Sequence, residues 1–425
     1  MERSWIIKKG RVVDPVSGID QQCDIVVRDG IICTSDGVGA GDLPVLDAAG
    51  CLVVPGLIDM HTHLREPGQE YKEDISSGAL AAASGGFTAV ACMPNTCPVN
   101  DNSAVCAMIL EKARSAAARV YPIAAISKGS EGRQLAEYGE LRDAGAVGVS
   151  DDGLPVTDSQ LMRRALEYAS DFDLTVIAHC EDPALSSGVM NEGIMSTQLG
   201  LKGIPNAAES VMVYREIALA EFTGKKVHIA HVSTAMSVDL IRQAKSRGVR
   251  VTAETAPHYF TLTDEAVAGY TTNAKMNPPL RTSEDRAAVI RGLQDGTLDA
   301  IATDHAPHST LEKEMEFDAA AFGIIGLETA LPLTLALVDQ GVIDVSRMVE
   351  LLAVNPARIL GVKGGSLAPG AAADITIVDP ELQFTYSADQ VVSKSQNSPF
   401  LGWSFTGQSM LTMVDGAVQF SRFIK

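Results

Sequence analysis

Between Gly56 and Gly361, short apolar runs rich in Val, Ile and Ala recur eight times, separated by stretches of helical periodicity. The runs are LIDMHTH (57–63), TAVACMPN (88–95), VYPIAAI (120–126), AVGVSDD (146–152), TVIAHCE (175–181), KVHIAHVS (226–233), RVTAETAP (250–257) and DAIATDHAP (299–307). Helical patterns fit between them, for example at 75–84, 103–117, 158–172 and 234–247. Near-continuous apolar strands alternating with helices are the pattern of a parallel sheet covered on both faces. Eight such units predict an α/β fold, a closed (β/α)8 TIM barrel, with a doubly wound open sheet as the second choice.

The two ends of the chain read differently. WIIKKGRVVDP, CDIVVRDGIICTSDG and VLDAAGCLVVPG at the start, and GGSLAPGAAADITIVDP and MLTMVDGAVQF near the end, are short β-like runs bounded by turns, the latter pair following a helical tract at 346–360. We expect a small β-sandwich domain built from both termini, 1–55 with 363–425, around a barrel at 56–362. A chain of 425 residues with 46% hydrophobic content has enough apolar material for one domain of barrel size and a smaller one.

Composition narrows the function. A formal charge of −19 argues against a nucleic-acid partner, since such binding draws its affinity from Lys and Arg neutralising phosphates. The opening MERSWIIKKGRVVDP lacks the apolar core of a signal peptide, and no run reaches the roughly 18 apolar residues of a membrane span, so a cytoplasmic protein with no membrane partner is expected. The seven cysteines, Cys23, Cys33, Cys51, Cys92, Cys97, Cys106 and Cys180, include no CxxC pair and predict reduced thiols rather than disulfides or a zinc knuckle.

Six of the eight runs begin apolar and finish in His, Asp, Asn or Glu, which is the end where a barrel carries its active site. Asp59-Met60-His61-Thr62-His63 puts two imidazoles at i and i+2 of a strand, on one face. His179, His231 and Asp304 close the fifth, sixth and eighth runs. Four imidazoles and a carboxylate converging on one mouth predict a divalent metal site. The fourth run offers Asp151 and Asp152; Asp151 shares a face with Val147 and Val149, which suit outer helices, whereas Asp152 shares one with Gly148 and Ser150. Asp152 is therefore the expected inward ligand, able to bridge two ions, and Asp151 is expected to be solvated or helix-capping. By the same alternation His228 is expected to face the helical layer, His305 to turn away from Asp304, and Cys180 to be buried and inert. His258 stays open.

These residues resemble the amidohydrolase superfamily and, within it, the bacterial dihydroorotases, over essentially the whole chain. The resemblance is carried by Asp59-Met60-His61-Thr62-His63-Leu64-Arg65-Glu66-Pro67-Gly68, by Ala302-Thr303-Asp304-His305-Ala306-Pro307-His308 with Lys313, by Met93-Pro94-Asn95-Thr96, by Lys275-Met276-Asn277-Pro278-Pro279-Leu280-Arg281 and by Asn397-Ser398-Pro399-Phe400. It implies one or two zinc ions per subunit: His61, His63 and Asp304 on one, His179 and His231 on the other, Asp152 on both. It also sets His63, Arg65, Asn95, Asn277, His308 and the backbone of Phe322-Gly323 against a small-molecule substrate. Many members of the superfamily bridge their metals with a carboxylated Lys, where this chain has Asp152; Lys128, at the end of the third run, is a poor substitute.

The implied reaction is the reversible cyclisation of N-carbamoyl-L-aspartate to L-dihydroorotate in pyrimidine biosynthesis. Its ring-opening direction needs a water nucleophile at neutral pH, a polarised carbonyl and a proton for the departing ring nitrogen. Metal coordination supplies the first two, giving a hydroxide, and Asp304 serves as general base and then acid. The planar fork of Arg65 suits the substrate carboxylate, the competing role being an ion pair with Glu66 or Glu70. The segment 309–322 is a candidate lid. The implied assembly is a homodimer, with aspartate carbamoyltransferase as a further partner. The alternatives are a hydantoinase or allantoinase, and a non-catalytic scaffold for that carbamoyltransferase; such scaffolds lack metal-ligand histidines, and every matched ligand is present here.

Overall fold

The computed structural model describes residues 2–34 and 43–423. All eight predicted runs form strands of one parallel sheet in sequential order: β1 (Leu57–Thr62), β2 (Phe87–Cys92), β3 (Arg119–Ala124), β4 (Gly148–Val149), β5 (Thr175–Ala178), β6 (Val227–Ile229), β7 (Val251–Thr255) and β8 (Ala300–Ile301). The last strand returns to the first through a parallel bridge between Thr62 and His305, with the His63 N–H donating to the His305 carbonyl at 2.8 Å. Below it Asp59, fully buried, accepts the Thr303 N–H at 3.1 Å and the Thr303 hydroxyl, so one carboxylate ties the first strand to the last. The sheet is a closed (β/α)8 barrel.

The helices show why the strands read as apolar on both faces. In Ser159–Ser170, Met162, Ala165, Leu166 and Ala169 recur at helical spacing and are buried, and the Asp158 carboxylate caps the helix by accepting the N–H groups of Gln160 and Leu161. Outward strand residues such as Val90, Val149, Val176 and Ile229 belong to the same large core as these helices. Inward residues Met60, Ala91, Met93, Ile123, Ile177, Ala230, Ala300 and Ala302 form a separate apolar plug in the lumen.

The tract expected to be one helix at 346–360 is a helix at Val345–Val349, a π-turn at Glu350–Val354 and a second helix at Asn355–Leu360. Pro356 has no N–H to give back, and its ring crowds the preceding turn, so the helix widens there.

Both chain ends contribute to the β-sandwich. One sheet has four N-terminal strands, Trp5–Lys8, Ile25–Arg28, Ile31–Cys33 and Val45–Asp47. The other has six, interleaving Arg11–Asp14, Ile19–Gln22 and Leu52–Pro55 with Ile375–Thr385, Ser404–Val414 and Ala417–Ser421. Ile7, Val27 and Ile32 of the first meet Val53, Ile375, Leu411 and Met413 of the second in a core distinct from the barrel's. The 35–37 end of the second N-terminal run lies outside the described residues.

Candidate metal centre

Simple strand alternation delivers two of the site residues, Asp152 and His179, and has to be broken for the others. Ile177 and His179 both point inward, as do Gly148, Ser150 and Asp152. In β1, however, Ile58 and Met60 already face the lumen, which would turn His61 and His63 out. A bulge resets the phase: Asp59 pairs with Val90 and Thr62 with Cys92, three steps against two. At the end of β6 the same reset is made by backbone strain. Ala230 faces the lumen, and His231 follows it inward by adopting φ 34°. Arg65 (φ 60°) and Asp304 (φ 49°) share this left-handed conformation, which costs a non-glycine residue roughly 1 kcal/mol or more. Three strained residues cluster at one mouth.

The geometry is compact. Asp152 Oδ2 lies 3.4 Å from both His61 Nε2 and His63 Nε2, while Oδ1 lies 3.4 Å from both His179 Nδ1 and His231 Nε2. The carboxylate thus faces two pairs of imidazoles, one with each oxygen. His63 Nε2 is 3.1 Å and His61 Nε2 is 3.6 Å from Asp304 Oδ1. His179 Nδ1 and His231 Nε2 approach to 2.8 Å. All six side chains are buried. Two groups have ligand atoms mutually within 4.8 Å, His61 with His63 and Asp304, and His61 with Asp152 and His231.

His61 Nε2 and Asp152 Oδ1 are buried without a hydrogen-bond partner in this cluster. Burial opposes charge on His61, but the Asp152 carboxylate overrides it and holds the imidazole well above its usual range. Burial likewise pushes Asp304 up, and the His63 hydrogen bond with the neighbouring imidazoles outweighs it and draws it down to about 2. Crowded imidazoles facing carboxylates, with unsatisfied atoms between them, fit a divalent cation, which takes the place of those protons.

Around the cluster, His63 Nδ1 donates to Asn95 Oδ1 at 2.8 Å. Arg65 is buried; its Nε donates to the Pro307 carbonyl at 3.2 Å and its Nη2 to His308 Nε2 at 3.3 Å. Burial and the Arg65 charge hold His308 at about 3, leaving it the neutral acceptor that contact needs. The competing carboxylates are engaged elsewhere, Glu66 with Lys112 and Glu70 with the Gly68 N–H. Among the described residues no carboxylate pairs with Arg65. Asn277 Oδ1 is buried and without a partner, and its amide lies against Glu181.

The backbone of Gly323 is spoken for: its N–H donates to the Lys275 carbonyl at 3.0 Å, and its carbonyl accepts from Lys313 Nζ and Asn397 Nδ2. Among the described residues, no hydrogen bond engages the Phe322 backbone, which remains free for a ligand.

Two expectations fail. His228 does not face the helices; fully buried, it faces the lumen, with Nε2 3.3 Å from Glu254 Oε2 and Nδ1 2.8 Å from Thr252 Oγ1. The three-residue spacing to His231 misled because φ 34° at His231 shifts the phase by one. Asp151 is neither solvated nor capping a helix end with its own backbone; it is buried and accepts the Ser127 N–H at 3.0 Å and the Ser127 hydroxyl. Val147 also groups with the lumen residues Ile123 and Ile177 rather than with the helices. His305 turns away from Asp304, with Nε2 3.5 Å from Glu73. Burial raises the Cys180 thiol far above its usual range, and all cysteines are free. His258 is buried beside Tyr259, its Nε2 unpartnered and burial holding it at about 4. Lys128 pairs with Glu137 at the surface.

Sequence reasoning missed Glu254, whose Oε1 is 2.7 Å from His61 Nδ1, and Glu181, 3.6 Å from His179 Nε2. Both stand at the polar ends of predicted runs, on the inward phase of Thr252 and His179, and that position was the available signal.

A closed barrel whose strand ends are given over to imidazoles and carboxylates, joined to a sandwich made of both termini, defines an amidohydrolase, an enzyme class that acts on cyclic amides. A family model described as Dihydro-orotase-like matches residues 50–237. Curated relatives named Dihydroorotase include one from Geotalea daltonii, 59% identical over 98% of this chain and 99% of its own, and one from Geobacter sp., 57% identical over 97% and 98%. Similar solved structures include L-hydantoinase from Arthrobacter aurescens, with TM-score 0.87, 25% identity and coverage of 98% and 96%, and dihydropyrimidinase from Brevibacillus agri, with TM-score 0.86, 24% identity and coverage of 98% and 94%. The chain belongs to the dihydroorotase family.

Proposed function

We propose that this protein interconverts N-carbamoyl-L-aspartate and L-dihydroorotate. The observation that carries this reading is Arg65, a buried guanidinium beside the metal cluster that no carboxylate among the described residues pairs with directly. A charge withdrawn from water without a counter-ion is costly, and a carboxylate-bearing substrate supplies that counter-ion bidentately.

His61, His63, Asp152, His179, His231 and Asp304 are the residues that would hold one or two ions, and imidazole with carboxylate favours zinc. When bound, the metal supplies a water acidified toward neutral pH and a polarised carbonyl. Asp304 takes the proton of the attacking water and returns it to the departing ring nitrogen, and in the cyclisation direction it does the reverse. Asn95, with Oδ1 occupied by His63, offers its amide N–H groups. Asn277 offers the unpartnered Oδ1 as an acceptor for a ring N–H, and Phe322 its free backbone. His308 positions Arg65, and Gly323 anchors the loop through its own backbone bonds.

The same reading divides the chain into a sandwich unit, 1–55 with 363–425, and a barrel unit, 56–362, supported by their separate cores. It takes the protein as a cytoplasmic homodimer able to bind aspartate carbamoyltransferase. No helix among the described residues is long and apolar enough to cross a membrane.

Steady-state rates on dihydroorotate, hydantoin and allantoin test the proposal. Dihydroorotate is expected to be the preferred substrate; no turnover of it, with or without a carbamoyltransferase, would refute the assignment.

A further inference from the structure

Beneath the metal cluster four side chains from β1, β6 and β7 stand in a row, buried except for the half-buried Thr252: Thr252 Oγ1 and His228 Nδ1 are hydrogen-bonded at 2.8 Å, His228 Nε2 stands 3.3 Å from Glu254 Oε2 without a hydrogen bond, and Glu254 Oε1 is bonded to His61 Nδ1 at 2.7 Å. His228 and Thr252 are register partners in the β6–β7 ladder. Met60, Ile177, Ala230 and Ala300 are among the apolar residues of the lumen around this row, and the buried Asp59 carboxylate is close enough to interact with the charge of Glu254. We propose that Glu254 is the positioning residue of the metal centre: it fixes the ring and proton of His61, with His228 standing against its other oxygen.

Geometry assigns each atom one task. Glu254 turns one oxygen to each imidazole, and a carboxylate only accepts, so once a cation displaces the other proton, the remaining proton of His61 stays on Nδ1 and the lone pair on Nε2. That Nε2 is the partnerless atom facing Asp152 and Asp304. Glu254 itself is 1% exposed and lies on the far side of His61 from the mouth, so it does not reach substrate. A buried carboxylate among apolar groups persists only if its partners offset the lost hydration. Here two imidazoles do so, and the hydrogen bond in turn makes His61 Nε2 a stronger donor to an ion. Loss of such a partner typically weakens metal binding about 10–100-fold.

The inference rests on the metal-centre reading above, and its test separates the two. Zinc affinity is measured by chelator competition on wild type and E254Q, a variant of equal size that loses the charge. E254Q is expected to bind zinc about 10–100-fold more weakly. In the zinc-loaded proteins the His61 Nδ1–H resonance is expected far downfield in wild type, through its bond to Glu254, and shifted upfield in E254Q, a change that a merely structural role would not produce. E254Q with wild-type zinc affinity and an unchanged His61 signature would overturn the proposal. If E254Q does not accumulate as folded protein, H228Q decides by the same two readings: a severalfold loss with an upfield shift of the His61 Nδ1–H resonance supports it, and no change in either refutes it. Wild type that binds no zinc would instead strike the metal-centre reading itself.

Discussion

Arg65 carries much chemical information for a single residue, because a buried cation whose hydrogen-bond partners among the described residues are a carbonyl and a neutral imidazole is an incomplete arrangement. Burial draws its guanidinium down to about 10, still charged at neutral pH. Arg65→Ala is expected to cost dihydroorotate about 2 kcal/mol or more in kcat/KM, on the scale of a truncated buried charge contact. A neutral hydantoin should lose much less; an equal loss on both in parallel assays would remove the carboxylate clamp. Asp304→Asn is expected to keep most of the bound metal and lower turnover by about 10²–10⁴-fold, the range of a lost general acid/base. Elemental analysis beside the rate separates that outcome from simple metal loss. Residue identities at the site were legible because each stands at the polar end of an apolar run. Their orientations were only partly so: Asp152 and His179 follow alternation, whereas the bulge in β1 and the φ of His231 are backbone events that period-2 reasoning cannot represent, which is how His228 was sent to the wrong face.

At the level of elements, the segment after the second motif is an ordered part of the mouth. Lys313 Nζ donates to the carbonyls of Lys275, Ala321 and Gly323, and Lys275 Nζ donates to those of Phe317 and Asp318. Two buried ammonium groups thus fold the loop onto the Lys275–Asn277 segment, and Asn397 ties it to His308 by accepting that residue's N–H at 3.0 Å. Lys313→Met removes a donor from three carbonyls and leaves that of Ala321 with none, since those of Lys275 and Gly323 keep the Gly323 N–H and Asn397 Nδ2; an unsatisfied group costs about 1–3 kcal/mol when buried. Hydrogen exchange across 309–323 is expected to quicken and KM to rise, with the global melting temperature nearly unchanged; unaltered exchange would contradict the latch. Strand and helix positions followed from periodicity because apolar runs and caps such as Asp158 are local signals. The loop was legible only as a candidate lid, since a lysine bonding distant carbonyls leaves no periodic trace.

For the whole molecule, the barrel concentrates the carboxylates of Asp152 and Asp304, four imidazoles and Glu254 at and under one mouth, and closes its first and last strands through Asp59 and Thr303 directly below. A cation binding the folded state alone stabilises it by about 4 kcal/mol at a thousandfold excess over its Kd. Chelation is therefore expected to lower the melting temperature by several degrees, and calorimetry in which apo and loaded protein melt together would contradict that coupling. The pairing of the two termini into one sandwich was anticipated from their shared β-rich character, but the interleaved order of the six-stranded sheet depends on partners more than 300 positions apart, such as Val54 with Thr376, and no local pattern encodes it. The most direct test of the account is a zinc titration of metal-stripped protein, with bound metal and dihydroorotate turnover read on the same samples. The account predicts that activity returns in step with one or two ions per chain; full activity without metal, or binding without any return of turnover, would contradict it.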